Sequence, residues 1–590
     1  MRLLGRIIMI ILAAIGSAAL LFAGVGLWAV LKERPNPLPA QMVLMLDLNA
    51  GVAEAVPDGP LGKFALNNAY LLTDVVAALD KASRDPAVTA VVAKLDDSHL
   101  GMAKAQEIRD AVLAFRKSGK RAVVYSTSLG DFGGATVAYY LASAFQEVWL
   151  QPSGDVGLTG FMAESPFLHD ALDLLGIKPE FGARWEYKSA IDMFTQKQFT
   201  KENREAVTQL VNAWTAQTVE GIATARGLKS DQVLALIDRA PLLADEAREA
   251  GLVDRLAYWD ELEKSLTDGG AKMVDLADYA ARVKPEPTAV KVALIYGVGA
   301  VQRADGQGSP LSDNAVFSAD KVTKAFRLAV KDPEVKAILF RINSPGGSYT
   351  ASDSIWREVV NARAAGKPVI VWMGDVAASG GYFAAMAADR IIAQPGTITG
   401  SIGVFAGKMV LSDLWKKLGV NWDEVHTGQN AAMWSSNSPF SPTAWQRVNA
   451  MLDHIYGDFT GKAEQGRNLK PEDMDKIARG RVWSGDDARK LGLVDQTGGY
   501  STVVVAIRQL AHLPLQMPVD LVPFPKTKEP LDYLMDLVRT GHAPEGTMSV
   551  MAVPARLARL AAALRPLATL LDANDQASDG ALRMPPLDVK

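Results

Sequence analysis

No cysteine occurs in the 590 residues, so disulfides, thiolate chemistry and Cys-ligated zinc are excluded. That absence leaves the compartment open, because Cys-free proteins occur on both sides of a membrane. Histidine is scarce: His99, His169, His426, His454, His512 and His542 are the six. None sits in a His-Glu-x-x-His pattern or a recognisable triad, and each reads as an ordinary surface or core side chain. Neither sign of charge dominates, since 62 Lys and Arg against 66 Asp and Glu leave a net charge of −4. That gives no electrostatic case for nucleic acid, which would need a basic face. What remains is the composition of a folded protein, 49% apolar and 22% charged. It is too long for one ordinary core, so two or more domains are expected.

Charge is also missing locally. Ile7 to Leu31 runs without a charged residue, and about 20 such residues span the hydrocarbon of a bilayer. Arg2 and Arg6 precede the run, which predicts a single-pass anchor with its N-terminus in the cytoplasm and the body of the chain exported. The alternative is a cleaved signal peptide. Its apolar region is normally shorter, about 7–15 residues, and ends in small residues, whereas this run ends in Leu27-Trp28-Ala29-Val30-Leu31. The Pro- and charge-rich stretch Glu33 to Pro39 reads as a linker leaving the membrane.

The rest of the chain is duplicated. Asp85-Pro86-Ala87-Val88 and the strand-like residues after it match Asp332-Pro333-Glu334-Val335 and its continuation, an offset of 247 residues from 85 to 332. Gly119-Lys120 matches Gly366-Lys367 at the same offset, and Gln151-Pro152 matches Gln394-Pro395 at 243. In each copy short β-branched runs alternate with helical stretches: Val91–Leu95, Val123–Tyr125 and Val148–Leu150, then Ala337–Ile342, Val369–Trp372 and Arg390–Ala393. Such alternation predicts α/β units with parallel sheets and right-handed crossovers. The domains expected are 1–39 (cytoplasmic tip, anchor and linker), 40–284 and 285–515 (the two repeats) and 516–590 (an extension). Within the extension, Met551–Leu571 is a candidate amphipathic helix, either packed on protein or touching the membrane.

Two glycine-rich turns carry chemistry. Asn343-Ser344-Pro345-Gly346-Gly347-Ser348 follows a strand and precedes a helix, where two glycines let backbone N–H groups face an anion; a purely structural turn is the alternative. It is neither a phosphate loop nor a dinucleotide fingerprint. Gly374-Asp375-Val376-Ala377-Ala378-Ser379-Gly380-Gly381-Tyr382 puts a serine on a strand-to-helix turn, although serine also caps helices without reacting. A nucleophilic serine needs a base. The histidines offer none, which leaves the Ser–Lys solution, in which burial or nearby positive charge lowers the lysine pKa. The candidate is Lys188, in the partly aromatic Arg184-Trp185-Glu186-Tyr187-Lys188-Ser189-Ala190; taken alone it is an ordinary solvated charge. At offset 243, Lys188 falls opposite Ala431, Ser379 opposite Thr136, and Gly380 and Gly381 opposite Val137 and Ala138. The first copy holds the lysine without the serine turn and the second the reverse, the pattern of one site shared between two copies.

These motifs, with Thr399-Gly400-Ser401-Ile402-Gly403, together resemble the signal peptide peptidase A family (protease IV) in its long, duplicated bacterial form. The resemblance covers nearly the whole chain. It implies two tandem Clp protease/crotonase-like repeats after an N-terminal transmembrane helix in the bacterial inner membrane, with the body in the periplasm. It implies Ser379 as nucleophile, Lys188 as general base, Ser401 orienting the lysine, and the backbone of Gly346 and Gly380 as oxyanion hole. It further implies signal peptides as substrates, no metal or other cofactor, no nucleic acid, lipid contact through residues 7–31 and a homotetramer. The rival readings are a crotonase-like acyl-CoA enzyme, which is normally cytosolic and uses Glu or Asp, and a non-catalytic membrane scaffold of the same fold.

Overall fold

The computed structural model describes residues 37–57, 62, 66, 68–96, 100–283, 286–304, 316–525, 581–584 and 588–589. The expected anchor at 7–31 and the candidate helix Met551–Leu571 lie outside these residues. Among the described residues no helix is long and apolar enough to cross a membrane.

The first sheet has six parallel strands, in the order Arg255–Leu256, Glu147–Leu150, Arg121–Ser126, Val88–Lys94, Met42–Asp47 and Lys272–Asp275. Its central strand, Val88-Thr89-Ala90-Val91-Val92-Ala93-Lys94, is β-branched and buried along most of its length, as a strand covered on both faces must be. The second sheet runs Val482–Ser484, Ile398–Gly400, Val369–Ala378, Ala337–Ser344, Val290–Val298 and Val519–Pro523, with Arg390–Ala393 and Gln496–Thr497 branching from Val369–Ala378. It is parallel except at Val482–Ser484.

The duplication extends well past the blocks visible in the sequence. The helices Leu72–Arg84 and Ala319–Lys331 correspond end to end. So do two helices of 26 residues, Lys201–Arg226 and Pro442–Arg467, followed by Trp259–Thr267 and Tyr500–Leu510. Val519–Pro523 lies beyond the expected start of the extension, yet it pairs with Val290–Val298 just as Lys272–Asp275 pairs with Met42–Asp47. The second sheet thus takes its edge strand from the residues after 515.

The two repeats are not separate bodies. One continuous apolar cluster joins Val91, Val124 and Leu141 of the first to Leu339, Ile370 and Trp372 of the second, while a second cluster fills the other face of the second sheet. A third sheet interleaves segments far apart in the chain: Val316–Ser318, Ala300–Gln302, Gly346–Ser348, Ala581–Arg583, Val404–Val410 and Lys178–Arg184. Its last strand is an arm of the first repeat. It pairs antiparallel with Val404–Val410 of the second, from Arg184 opposite Val404 to Lys178 opposite Val410. Gly407 permits this, because a Cβ there would lie 2.2 Å from the Glu180 carbonyl oxygen.

Candidate active site

The arm delivers Lys188. Beyond Arg184 the chain turns inward: the Tyr187 N–H donates to the Arg479 carbonyl at 3.2 Å, and the Lys188 N–H to the Trp185 carbonyl at 3.0 Å. Glu186 pairs with Arg479 at 2.8 Å on the outside of this turn. The approach is so close that a Cβ at Gly480, which also holds φ at +85°, would meet the Lys188 backbone at 2.5–2.6 Å and its Cβ at 2.7 Å. Only glycine serves there.

The serine arrives from the second repeat. Val369–Ala378 ends at Ser379, whose backbone lies at φ 55°, ψ −116°, and the helix Gly380–Ala385 begins at once. A non-glycine residue at positive φ is strained, and such strain persists where the surroundings fix it. Here the Ser379 N–H donates to the Gly400 carbonyl at 2.8 Å, and Ile398–Gly400 pairs with Val376–Ala378 in parallel. That pairing sets Ser401 beside Ser379. The residues just ahead are gripped by the first repeat: the Gly396 N–H donates to Gln106 Oε1 at 2.7 Å, Trp214 Nε1 to the Gly396 carbonyl at 2.9 Å, and Gln394 Nε2 to Asp110 Oδ2 at 3.0 Å.

Lys188 Nζ stands 2.7 Å from Ser379 Oγ, 3.0 Å from Ser401 Oγ and 3.1 Å from the Ser401 carbonyl oxygen. Lys188 is 2% exposed, and Ser379 and Ser401 are fully buried. Burial holds the ammonium well below its ordinary pKa, because a dry site penalises the charged form. Among the described residues no carboxylate lies within ion-pair distance of Lys188 to offset that penalty, and no histidine hydrogen-bonds Ser379. A neutral amine has two N–H donors and one lone pair. The Ser401 carbonyl can only accept, so the three contacts fit an amine whose lone pair faces the Ser379 hydroxyl.

Gly346 and Gly380 also meet. A Cβ on Gly380 would lie 3.0 Å from the Gly347 nitrogen and 3.3 Å from the Gly346 Cα. The Gly346 N–H donates to Ser344 Oγ at 3.2 Å. On its open side the Gly346–Ser348 edge pairs antiparallel with Ala581–Arg583 of the C-terminal segment, and the Met584 N–H donates to the Pro345 carbonyl at 2.7 Å. All five residues singled out from the sequence therefore lie together. The sequence reading missed Gly480, the arm strand and the strand from 581 to 583. The signal for Gly480 was faint: one glycine between two arginines, Arg479 and Arg481, ahead of a short strand. Among the described residues no cluster of metal-ligating side chains occurs.

Two segments, 114–273 and 361–514, match the pattern of peptidase family S49. The chain is 33% identical over 473 residues to "Serine protease SPPA, chloroplastic" of Arabidopsis thaliana, covering 78% of this chain and 68% of that protein. It is 32% identical over 524 residues to "Protease 4" of Salmonella typhi, covering 84% and 82%. A shorter relative, "Putative signal peptide peptidase SppA" of Enterococcus faecium, is 33% identical over 195 residues, 33% of this chain and 57% of that protein.

Proposed function

The chain belongs to peptidase family S49 and is a serine peptidase, and from that premise we propose that Ser379 is its nucleophile and Lys188 its general base, in a membrane-anchored endopeptidase that degrades cleaved signal peptides. The observation that carries this is the 2.7 Å approach of a buried amine, with no carboxylate beside it, to a buried serine on a strained strand-to-helix turn.

Neutral Lys188 accepts the Ser379 hydroxyl proton as Oγ bonds to the carbonyl carbon of a peptide. The C=O electron pair moves onto oxygen, and the oxyanion is received by the backbone N–H groups of Gly346 and Gly380. Such preorganised donors contribute about 3–4 kcal/mol each. For Gly346 this means exchanging the 3.2 Å bond to Ser344 Oγ for the oxyanion. The protonated lysine, held by Ser401 Oγ and its carbonyl, returns the proton to the leaving amine as the C–N bond breaks. Water, deprotonated by the same lysine, then hydrolyses the acyl-enzyme. Each repeat is read as a Clp protease/crotonase-like unit, residues 7–31 as the inner-membrane anchor with the body in the periplasm, and the assembly as a homotetramer. The resemblance supports these three points; the likeness to the Enterococcus signal peptide peptidase supports the substrate class.

The test is covalent labelling of Ser379 by a fluorophosphonate, with peptide hydrolysis followed in parallel. Labelling at Ser379 that is lost in Lys188→Ala is the expected result. Hydrolysis that survives Ser379→Ala in a folded protein would remove the reading. External protease acting on spheroplasts tests the topology, and full protection of the body would reverse it.

A further inference from the structure

Ser379 and Lys188 sit on different repeats, so their 2.7 Å separation depends on how the repeats dock. Most of that docking surface is apolar. Apolar burial is strong but non-directional, and cores tolerate sliding and repacking. A displacement of about 1 Å is enough to cost a reaction dearly. Something directional has to fix the register.

We infer that Arg341, clamped by Glu54 and Glu107 of the first repeat, is a positioning residue that sets the lysine-bearing repeat against the serine-bearing one; the inference rests on the Ser–Lys reading above. Arg341 lies on Ala337–Ser344, three residues before Ser344 and five before Gly346. Its Nε donates to Glu54 Oε2 at 2.9 Å, and its Nη1 donates to Glu107 Oε1 at 2.7 Å and to the Met373 carbonyl at 3.2 Å. Met373 is on the neighbouring strand that ends at Ala378, immediately before Ser379. One guanidinium thus touches both strands that build the serine side of the site, and a loop and a helix of the other repeat. Its planar fork fixes direction as well as distance, and Trp372 supports its face at 4.4 Å. A second tie runs parallel. The Lys104 N–H donates to Asp375 Oδ1 at 2.9 Å, four residues before Ser379, while Lys104 Nζ lies 3.6 Å from Glu54 Oε1.

Stability does not account for this cluster. Arg341 and Glu107 are fully buried, and Glu54 Oε1 and Glu107 Oε2 have no hydrogen-bond partner. Burial pushes the Glu107 carboxyl up despite Arg341 beside it. Replacing such a buried ion cluster by apolar side chains is commonly neutral or stabilising, and what charges add is specificity of arrangement. Nor does the repeat fold require it. The position matching Arg341 in the first copy, at offset 247, is Lys94. Its Nζ lies 4.0 Å over the Trp259 ring, in an open pocket with Asp96, Tyr125 and Gln151. The acid clamp is present only where the two halves of the site are brought together.

The experiment compares the full chain with a triple variant, Glu54→Leu, Glu107→Leu and Arg341→Met, by thermal unfolding and by the rate at which a fluorophosphonate labels Ser379 across pH. The expected result is an unfolding temperature equal to or above that of the parent. Labelling should be at least about tenfold slower, with the pH midpoint moved upward as Lys188 leaves its dry contact. Glu107→Gln, which keeps the shape and an acceptor for Arg341, should recover most of the rate. Parental labelling in the folded triple variant overturns the inference. If the triple variant does not fold, Arg341→Lys decides, since it keeps the charge and loses the fork: a rate within about twofold of the parent overturns the inference. Absence of Ser379 labelling in the parent chain instead removes the Ser–Lys reading and leaves the clamp's geometry in place.

Discussion

The two repeats share a topology and differ where chemistry is concerned. At the position of Ser379 the first repeat has Thr136. Its hydroxyl donates to the Gly160 carbonyl at 2.9 Å and accepts the Gly160 N–H at 2.9 Å. That hydroxyl is consumed in closing a turn, on an ordinary helix start. The Ser379 hydroxyl instead faces an amine from a strained backbone. The reverse holds for the arm. Lys178–Arg184 of the first repeat crosses to the second and ends near Lys188, whereas the matching residues of the second copy, near 421–427, form no strand and lie exposed. A duplicated unit can divide one site between its copies, each keeping half, provided one arm reaches across.

The strongest way to break this comparison is to remove either half. Ser379→Ala and Lys188→Ala should each reduce hydrolysis by at least about a thousandfold, and the double variant should lose no more than either single one, because the proposed mechanism puts both in one covalent step. Peptide cleavage with progress-curve kinetics measures it. A double variant much worse than the singles would mean that the two residues act independently. Lys188→Met should at the same time raise the unfolding temperature at neutral pH. The fold depresses this lysine's pKa by burial, so the unfolded chain holds the proton more tightly and Lys188 lowers stability until pH climbs through the ordinary lysine range.

The same depression sets the pH profile. In the proposed mechanism Lys188 works only when neutral, so log rate should climb with unit slope, about tenfold per pH unit, and level off above its folded-state pKa. Burial places that plateau well below 10.5. A rate still climbing at pH 10 would show the lysine to be solvated, and the first repeat's arm would then contribute no base. Next in size is Gly480→Ala. The added methyl meets the Lys188 backbone and strains a φ of +85°, so the lysine should be displaced and labelling of Ser379 slowed by about tenfold. Gly227→Ala, also at positive φ but with open space around it, supplies the control for backbone strain alone.

Much of this was legible in the sequence. The strand–helix alternation and the turn at Ser379 are local, and period and glycine spacing reveal them. The duplication showed only in the strands and turns, where both copies keep the same small and β-branched residues. The paired 26-residue helices escaped notice because their outward faces share little. Lys188 was reached through the comparison of the two copies and the resemblance, since nothing local in its sequence singles it out. Its dryness comes from Ser401 and Gly480, hundreds of residues away. Arg341 did leave a trace, a charge between Phe340 and Ile342 in an otherwise apolar strand, but its partners at Glu54 and Glu107 belong to the other repeat and no pattern in the sequence links them.

The C-terminal segment separates the repeats in another way. It occupies the Gly346–Ser348 edge of the second and, at Asp588–Val589, the short strand Ala163–Glu164 of the first. A peptide that binds by adding a strand beside Gly346 competes with it. Deleting residues 581–590 should therefore lower the KM for peptide by about two- to fivefold with kcat little changed, the factor by which the open edge is under-populated. An unchanged KM would mean that substrate takes another path.

The smallest effect belongs to Thr136, and it tests whether the first repeat's turn retains any part in the reaction. Thr136 is buried, and its hydroxyl both donates to and accepts from Gly160. Thr136→Ala leaves the Gly160 N–H and carbonyl short of a partner, which costs about 1–3 kcal/mol. In a chain of this size that lowers the unfolding temperature by a few degrees, as calorimetry would register. The labelling rate of Ser379 should stay at the parental value, because the turn lies at the matching position of the other sheet and the Thr136 hydroxyl bonds only to Gly160 among the described residues. A rate that fell together with the unfolding temperature would mean that the two repeats communicate through their shared core, and that the division of labour between them is only partial.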